Sequence, residues 1–246
     1  MGRYRRKKSN NKLLLFLIFL ILALYLQYGD TIKNTLSTDF SRIIKIHKSY
    51  NIGEVPEYSG TDYVYINNNV PSFDDLAKTT NSFEVYSKLD LLGRCGEAYA
   101  NIGKELMPTK KRESIGSIKP SGWHTTKYDI ITDGKYLYNR CHLIAYQLTA
   151  ENANPKNLIT CTRHANSVVM VEFENKVANY IKKTNNHVLY RVTPIFKENN
   201  LVASGIQMEA LSIEDKGKGI KFNVYIYNVQ PGIEIDYKTG RSKLSK

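Results

Sequence analysis

One histidine and two polar residues of a predicted helix form a set that could act on a phosphodiester. His142 ends a segment rich in strand-forming residues, YNRCH at 138–142, and a helix predicted at 163–182 carries Asn166 and Glu174. Hydrolysis of a phosphodiester needs a base that activates water and an electrophile that neutralises charge on the phosphoryl oxygens. An imidazole supplies the base near neutral pH, while amide and carboxylate oxygens together with water suit Mg²⁺.

The helix is predicted from apolar residues that recur at three- and four-residue spacing and so form one face. This apolar set comprises Val169, Met170, Phe173, Val177, Tyr180 and Ile181. At about 100° per residue, Asn166 points into this face and Glu174 lies at its edge. Both side chains are therefore predicted to point inward, towards the strand that ends at His142.

Strand patterns on both sides of this helix predict an antiparallel sheet. The first is DYVYIN at 62–67, and a hairpin is predicted around Asp133-Gly134, between YDIITD and GKYLYNRCHLIAYQL. Three further strands in the C-terminal third, HVLYRVTPIF, LVASGIQMEALSI and KFNVYIYNVQ, have the spacing of a meander. We therefore predict an α+β fold in which a ββα element at 128–182 lies across an antiparallel sheet and carries the site.

The N-terminus predicts a membrane segment. The chain has a net charge of +12, and six basic residues with no acid lie in its first twelve positions. An uncharged apolar run from Leu13 to Leu26 follows, without the small residues of a cleavage site after it. We predict a basic cytoplasmic end at 1–12, a signal anchor or signal peptide at 13–28, a linker at 29–57 and a folded domain at 58–246. By the positive-inside rule this domain lies outside the cell, held by an uncleaved anchor or, if the signal is cleaved, secreted.

Charge and composition restrict the class of partner. The hydrophobic fraction of 42% indicates an ordinary globular protein and excludes disordered and collagen-like chains. Without the basic N-terminus the chain still carries +6, which favours a polyanion, and basic side chains that could line a groove are Lys104, Lys110, Lys111, Arg112, Lys119, Lys127, Arg163, Lys182 and Lys183. The sequence contains no evident base-reading motif, so we predict binding through the phosphate backbone.

Three motifs follow one another between residues 139 and 174. They are Asn139-Arg140-Cys141-His142, then NLIT at 157–160, then a helix with Asn166 and, eight residues on, Glu174. This arrangement resembles the DNA/RNA non-specific endonucleases of the ββα-metal type, in particular the bacterial DNA-entry nucleases, whose hallmark is D-R-G-H, an N-L/I-T segment and a helix with Asn and Glu. The flanking segments KPSGW at 119–123 and NVQPG at 228–232 extend the resemblance over residues 58–242.

The resemblance implies a role for each residue of the motifs. His142 would be the general base, Asn166 the direct metal ligand, and Glu174 would hold metal-bound water. Arg140 would stabilise the motif or the phosphate. The implied cofactor is Mg²⁺, with Mn²⁺ as a possible substitute.

Other positions near the motifs have supporting roles in this interpretation. Asn139 stands where the family has Asp, and Cys141 stands where it has Gly, so we expect metal affinity to differ from that of the family. Asn157 would support the site, and Arg163 and His164 lie close enough to Asn166 to contact a phosphate. We interpret the remaining histidines as structural, namely His47, His124 and His187.

The three cysteines, Cys95, Cys141 and Cys161, lack the close pairs of a zinc site. Outside the cell one pair could oxidise, and the sequence leaves the pairing open.

The function predicted from these observations is Mg²⁺-dependent, sequence-non-specific cleavage of DNA, and also of RNA, outside the cell. Two alternatives remain open. One is a weakly catalytic nucleic-acid-binding component of a DNA-uptake apparatus, and the other is a secreted toxin or virulence nuclease.

Overall fold

The computed structural model describes residues 48–132 and 134–245, and within them it has eleven strands. The strands are β1 Ser49–Tyr50, β2 Tyr63–Ile66, β3 Phe83–Tyr86, β4 Ala98–Ile102, β5 Tyr138–His142, β6 Leu158–Thr162, β7 Val188–Ile195, β8 Gly205–Ser212, β9 Lys221–Tyr227, β10 Ile233–Ile235 and β11 Ser242–Leu244. The helices are α1 Tyr146–Thr149, a π-helical segment Ala165–Met170 and α2 Val171–Thr184, with short 3-10 turns at Ile52–Glu54, Asn67–Asn69, Asp75–Ala77, Lys104–Leu106 and Pro155–Asn157. We call Ala165–Met170 and Val171–Thr184 together the site helix.

The main sheet has seven strands in the order β1-β2-β9-β8-β7-β4-β3. Every neighbouring pair is antiparallel except β1 and β2, which run parallel. The consecutive strands β7, β8 and β9 form the predicted C-terminal meander, and β2 coincides with the predicted strand at 62–67. The α+β class with a mostly antiparallel sheet is therefore confirmed.

The site helix packs its apolar face on one face of this sheet. Phe173 lies 5.0 Å from Phe222 of β9 and 5.1 Å from Tyr63 of β2, measured between ring centroids. Alternate residues of β7 to β9, such as Val192, Met208 and Val224, are fully buried beneath the helix. This burial of apolar area fixes the helix on the sheet and so fixes the direction of its polar edge.

The strand pair next to the site helix differs from the predicted hairpin. β5 pairs with β6, with Tyr138 opposite Thr162 and His142 opposite Leu158. Residues 128–132 form no strand and belong to a loop that one antiparallel bridge, between Lys127 and Tyr136, closes just before β5. The apolar residues of that segment serve a small second core instead: Ile131 is buried with Leu137 and Ile233. The ββα element thus comprises β5, β6 and the site helix, and it starts later than the predicted residue 128.

The first turns of the site helix are π-helical, with i→i+5 hydrogen bonds. The prediction from sequence periodicity treated the segment as a regular α-helix from residue 163. The predicted directions of the Asn166 and Glu174 side chains around the helix axis are therefore corrected. Asn166 is half-buried at a cavity instead of lying in the core, while Glu174 is buried at 8% exposure. Within this wider π-helical turn, the side chain of Val169 is buried in the core, whereas that of Asn166 is only half-buried.

The segment before β2 also contributes to the sheet. β1 adds a parallel edge strand to β2, so residues within the predicted linker at 29–57 take part in the fold. The predicted anchor at 13–28 lies outside the described residues. Of the helices that the structure describes, none is long and apolar enough to cross a membrane.

Candidate active site

A cavity of about 520 Å³ lies between β5, the site helix and the loop before Ile118. It is lined by Arg112, Asn139, Arg140, His142, Ala145, Tyr146, Gln147, Asn166, Ser167, Val171 and Glu174. We call it the active cavity. It contains four residues to which the sequence assigned catalysis or metal binding, His142, Arg140, Asn166 and Glu174, and it therefore brings together residues that lie up to 34 positions apart.

The hydrogen bonds of His142 determine which ring nitrogen can act as a base. Nε2 lies 2.8 Å from the carbonyl oxygen of Asn152, and since a carbonyl can only accept, Nε2 carries the hydrogen. In the neutral ring Nδ1 then keeps its lone pair, towards which Nη2 of Arg112 donates at 3.5 Å. The pKa of His142 is lowered to about 4, mainly by burial and in smaller part by the positive charge of Arg112, while the bond to the Asn152 carbonyl opposes this shift. His142 is therefore neutral at physiological pH, with Nδ1 as the proton acceptor.

Arg112, which the sequence identified only as one of nine basic side chains that could line a groove, lies in the active cavity. Its Nη2 lies 3.5 Å from Nδ1 of His142, and its charge also lowers the pKa of Glu174. A guanidinium here is positioned to contact a phosphate, because it offers a planar set of donors next to the base. The run Lys110-Lys111-Arg112 was the only signal for it, and that signal does not separate a site residue from a solvated charge.

Two amide side chains of the active cavity are oriented by one hydroxyl. Nδ2 of Asn139 and Nδ2 of Asn166 lie 3.1 Å and 3.2 Å from Oγ of Ser167. Each amide thus uses its nitrogen within the protein, and neither Oδ1 accepts a hydrogen bond from the described residues. Two neutral oxygen donors are therefore available at the start of the site helix.

Glu174 lies in the buried wall of the active cavity. Burial raises its pKa to about 8, and Arg112 opposes this shift. The fully buried Tyr190 of β7 interacts electrostatically with Glu174, and its hydroxyl has no partner among the described residues. Because buried polar groups are normally satisfied by protein or water, a carboxyl group and an orphaned hydroxyl indicate a place for ordered water.

The oxygen donors of the active cavity fit a hydrated divalent cation better than a caged one. Within the described part of the chain there is no group of three His, Cys, Asp or Glu side chains that could enclose a metal ion. Asn166, Asn139 and Glu174 nevertheless present amide and carboxyl oxygens to one cavity. Mg²⁺ keeps several waters and binds proteins through few oxygen ligands, so this donor set suits it.

Arg140 and Asn157 have structural contacts that account for their place in the motifs. Arg140 donates from Nε to the carbonyl of Ile118 and from Nη2 to that of Gly116 at 2.8 Å. The fully buried Asn157 accepts from the backbone N–H of Ile144 at 2.8 Å and donates to its carbonyl at 3.0 Å. Arg140 therefore fixes the loop over the cavity, and Asn157 fixes the chain just after His142.

The two predicted phosphate contacts lie apart from the active cavity. His164 bonds to Asp62 through Nε2 at 2.8 Å, which joins the helix start to the segment before β2. Arg163 lines a neighbouring cavity and donates to the carbonyl of Tyr136 at 3.3 Å. Of the other histidines, His124 contacts the carbonyl of Thr239 and His187 pairs with Glu214, both outside the active cavity. His47 lies outside the described residues.

A disulfide between Cys141 and Cys161 joins β5 to β6, with the Cα atoms 5.9 Å apart. Both residues are fully buried, and Cys95 remains a buried free thiol. The cysteine in place of the family's glycine is thus accommodated by a partner on the adjacent strand. Since the link lies next to His142, it holds the strand that presents the base.

Comparison with known proteins was consistent with this geometry. A family model described as DNA/RNA non-specific endonuclease matches residues 75–213, more than half of the chain. NucA from Streptococcus agalactiae, solved with a magnesium ion bound, is 26% identical with a TM-score of 0.68, covering 79% of this chain and 92% of that one. The Sda1 nuclease, solved with a bound zinc ion, is 30% identical with a TM-score of 0.55, covering 67% and 80%.

Proposed function

Because the chain belongs to the DNA/RNA non-specific endonuclease family, we propose that its active cavity hydrolyses DNA with the help of a hydrated Mg²⁺ ion. The observation that carries this proposal is the hydrogen bond from Nε2 of His142 to the Asn152 carbonyl. It leaves Nδ1 as a neutral base in a cavity that also contains Asn166 and Glu174. A phosphodiesterase needs this combination of a base and oxygen ligands.

Each residue of the active cavity has a separate role in this proposal. His142 accepts a proton at Nδ1 from the water that attacks phosphorus, and the Asn152 carbonyl stabilises the imidazolium that results. Arg112 binds a non-bridging phosphate oxygen and draws the phosphate towards the base. Asn166 would hold the ion directly and Glu174 would hold it through water, with Asn139 beside them.

Mg²⁺ supplies positive charge against the phosphoryl and leaving oxygens when it is bound. Mn²⁺ prefers similar oxygen ligands and is expected to substitute. The similar nucleases differ in the metal ion they were solved with, which is magnesium for NucA and zinc for Sda1. The amide oxygens of Asn166 and Asn139 favour the harder ions for this chain.

Backbone recognition extends the proposed substrates to RNA. The net charge and the cations Arg112 and Arg163 at the cavities attract phosphates whatever the base sequence. Contacts of this kind do not discriminate the sugar. We therefore propose cleavage of both DNA and RNA without sequence preference.

The N-terminal sequence places this activity outside the cell in our proposal. The six basic residues before the apolar run Leu13–Leu26 favour an orientation with the N-terminus inside and the nuclease domain outside. Protease added to intact cells should then remove the domain and leave a short membrane-bound fragment. A mature form that begins near Asp30 and is free in the medium would instead indicate a cleaved signal.

Degradation of unrelated plasmids by the full chain in detergent tests the proposed activity. We expect Mg²⁺ to support cleavage of every plasmid, EDTA to stop it, and excess Mg²⁺ or Mn²⁺ to restore it. Binding of DNA without cleavage in any divalent ion would instead support a weakly catalytic component of a DNA-uptake apparatus. Cleavage that persists in EDTA would contradict the metal requirement.

A further inference from the structure

A second cavity, of about 390 Å³, adjoins the active cavity. Its lining includes Trp123, Thr125, Tyr136, Tyr138, Arg140 and Arg163. The volume lies within the range of roughly 300–1,000 Å³ that is typical of small-molecule sites. Three aromatic rings and two guanidinium groups on one concave surface are suited to a ligand with a flat ring and a negative charge.

The two cavities meet at β5. Asn139 and Arg140 line both of them. Consecutive side chains of a strand point to opposite sides, so this pair forms the boundary between the cavities. Arg163 at the second cavity comes just before the site helix, three residues ahead of Asn166 at the first. A strand of nucleic acid with a phosphate in the active cavity therefore passes directly into the second.

The walls of the second cavity are fixed before any ligand binds. The guanidinium of Arg140 lies 4.0 Å from the centroid of the Trp123 ring, and the carbonyls of Gly116 and Ile118 hold its N–H groups. Trp123 follows Gly122, whose φ of +66° and contacts with Leu201 and Val202 leave no room for a side chain. The hydroxyl of the buried Tyr138 donates to Gly240 at 2.9 Å.

One aromatic ring of this cavity is exposed. Tyr136 is 40% exposed, and Nζ of Lys127 lies 4.4 Å from its ring centroid. Lys127 covers one face of this ring, and the opposite face provides a stacking surface that accepts any base, since every base has a π-face. Tyr136 is therefore the residue of the cavity best placed to contact a base.

We propose that the second cavity binds the nucleotide adjacent to the scissile phosphate, with its base against Tyr136 and its phosphate at Arg140 and Arg163. This inference rests on the proposed function, because it assumes that the active cavity holds the scissile phosphate. A base enters the second cavity only when it is unpaired, so this cavity binds single-stranded or locally melted segments, whereas a fully paired duplex is held at the active cavity alone.

Binding of short oligonucleotides to the full-length chain tests this assignment. The chain carries His142→Ala to prevent cleavage, and affinity is measured by fluorescence anisotropy for an ordinary single strand and for a fully abasic strand of equal length. We expect the ordinary strand to bind roughly 5- to 100-fold more tightly, as base–aromatic stacking provides. Adding Tyr136→Ala should remove this difference by weakening binding of the ordinary strand alone.

The conservative variant Tyr136→Phe keeps the ring and should retain the preference for the ordinary strand. Equal weakening of both strands by Tyr136→Ala would overturn the proposal, because charge or folding would then explain the loss. A preference for the ordinary strand that survives Tyr136→Ala would also overturn it. Since the readout is binding, failure of this assignment is distinct from failure of the plasmid test, which reads hydrolysis.

Discussion

Replacement of His142 by alanine is expected to lower the rate of plasmid cleavage on the order of 10²- to 10⁴-fold, the range for loss of a general base. The ring contacts the Asn152 carbonyl through Nε2 and presents Nδ1 to the cavity, so its removal takes away the proton acceptor but none of the amide oxygens. Initial rates at saturating Mg²⁺ measure the loss. His124→Ala is the matched control, because His124 makes a similar bond to the carbonyl of Thr239 outside the active cavity.

The same base predicts the acidic side of the pH profile. With the pKa of His142 lowered to about 4, its Nδ1 stays unprotonated over a wider acidic range than the ordinary value of 6.5 allows. In the Glu174→Gln background, where Glu174 no longer titrates, kcat/KM at saturating Mg²⁺ should therefore fall only as the pH approaches 4. An acidic limb at 6.5 or above, or full activity in His142→Ala, would contradict the assignment of His142 as the base.

Replacement of Glu174 by glutamine is expected to stabilise the metal-free protein at alkaline pH while lowering turnover. Burial raises the pKa of Glu174 from 4.5 to about 8, so between these values the folded state binds a proton that the unfolded state has released. The free energy of unfolding therefore decreases as pH rises through this window, by up to about 5 kcal/mol. Glutamine removes this dependence because it does not titrate.

Thermal unfolding in EDTA across this pH range measures the effect. The difference in unfolding free energy between Glu174→Gln and the wild type should widen from pH 4.5 to 8, and Mg²⁺ should narrow it because the ion favours the ionised carboxylate of the wild type and binds the variant moderately more weakly. The exposed Glu172, which pairs with Lys176 on the same helix, supplies the control variant Glu172→Gln. A gap that does not change with pH would contradict a buried, protonated Glu174.

The C-terminal meander and the membership of the site could be predicted because each depends on local pattern. The segments that form β7 to β9 are rich in β-branched and aromatic residues and are separated by turn residues, which predicts three consecutive antiparallel strands. His142, Asn166 and Glu174 were found because their spacing matches the motifs of one family. All three line one cavity in the structure.

The features that escaped prediction depend on contacts remote in sequence or on backbone groups. Arg112 reaches His142 across 30 residues, and no periodicity reports such an approach. The Asn152 carbonyl, which fixes the imidazole tautomer, carries no side-chain signature at all. The π-helical start of the site helix and the turn at 128–132 follow from tertiary packing that overrides local propensity.

The central claim is tested most directly by calorimetry of magnesium binding to the wild type and to the variants Asn166→Ala, Glu174→Gln and His142→Ala. The claim is that Asn166 holds the ion and His142 acts only on the proton. We predict that His142→Ala keeps nearly the wild-type affinity for Mg²⁺, that Glu174→Gln weakens it moderately, and that Asn166→Ala weakens it most. Loss of Mg²⁺ binding in His142→Ala, or a larger loss in Glu174→Gln than in Asn166→Ala, would contradict this division of roles.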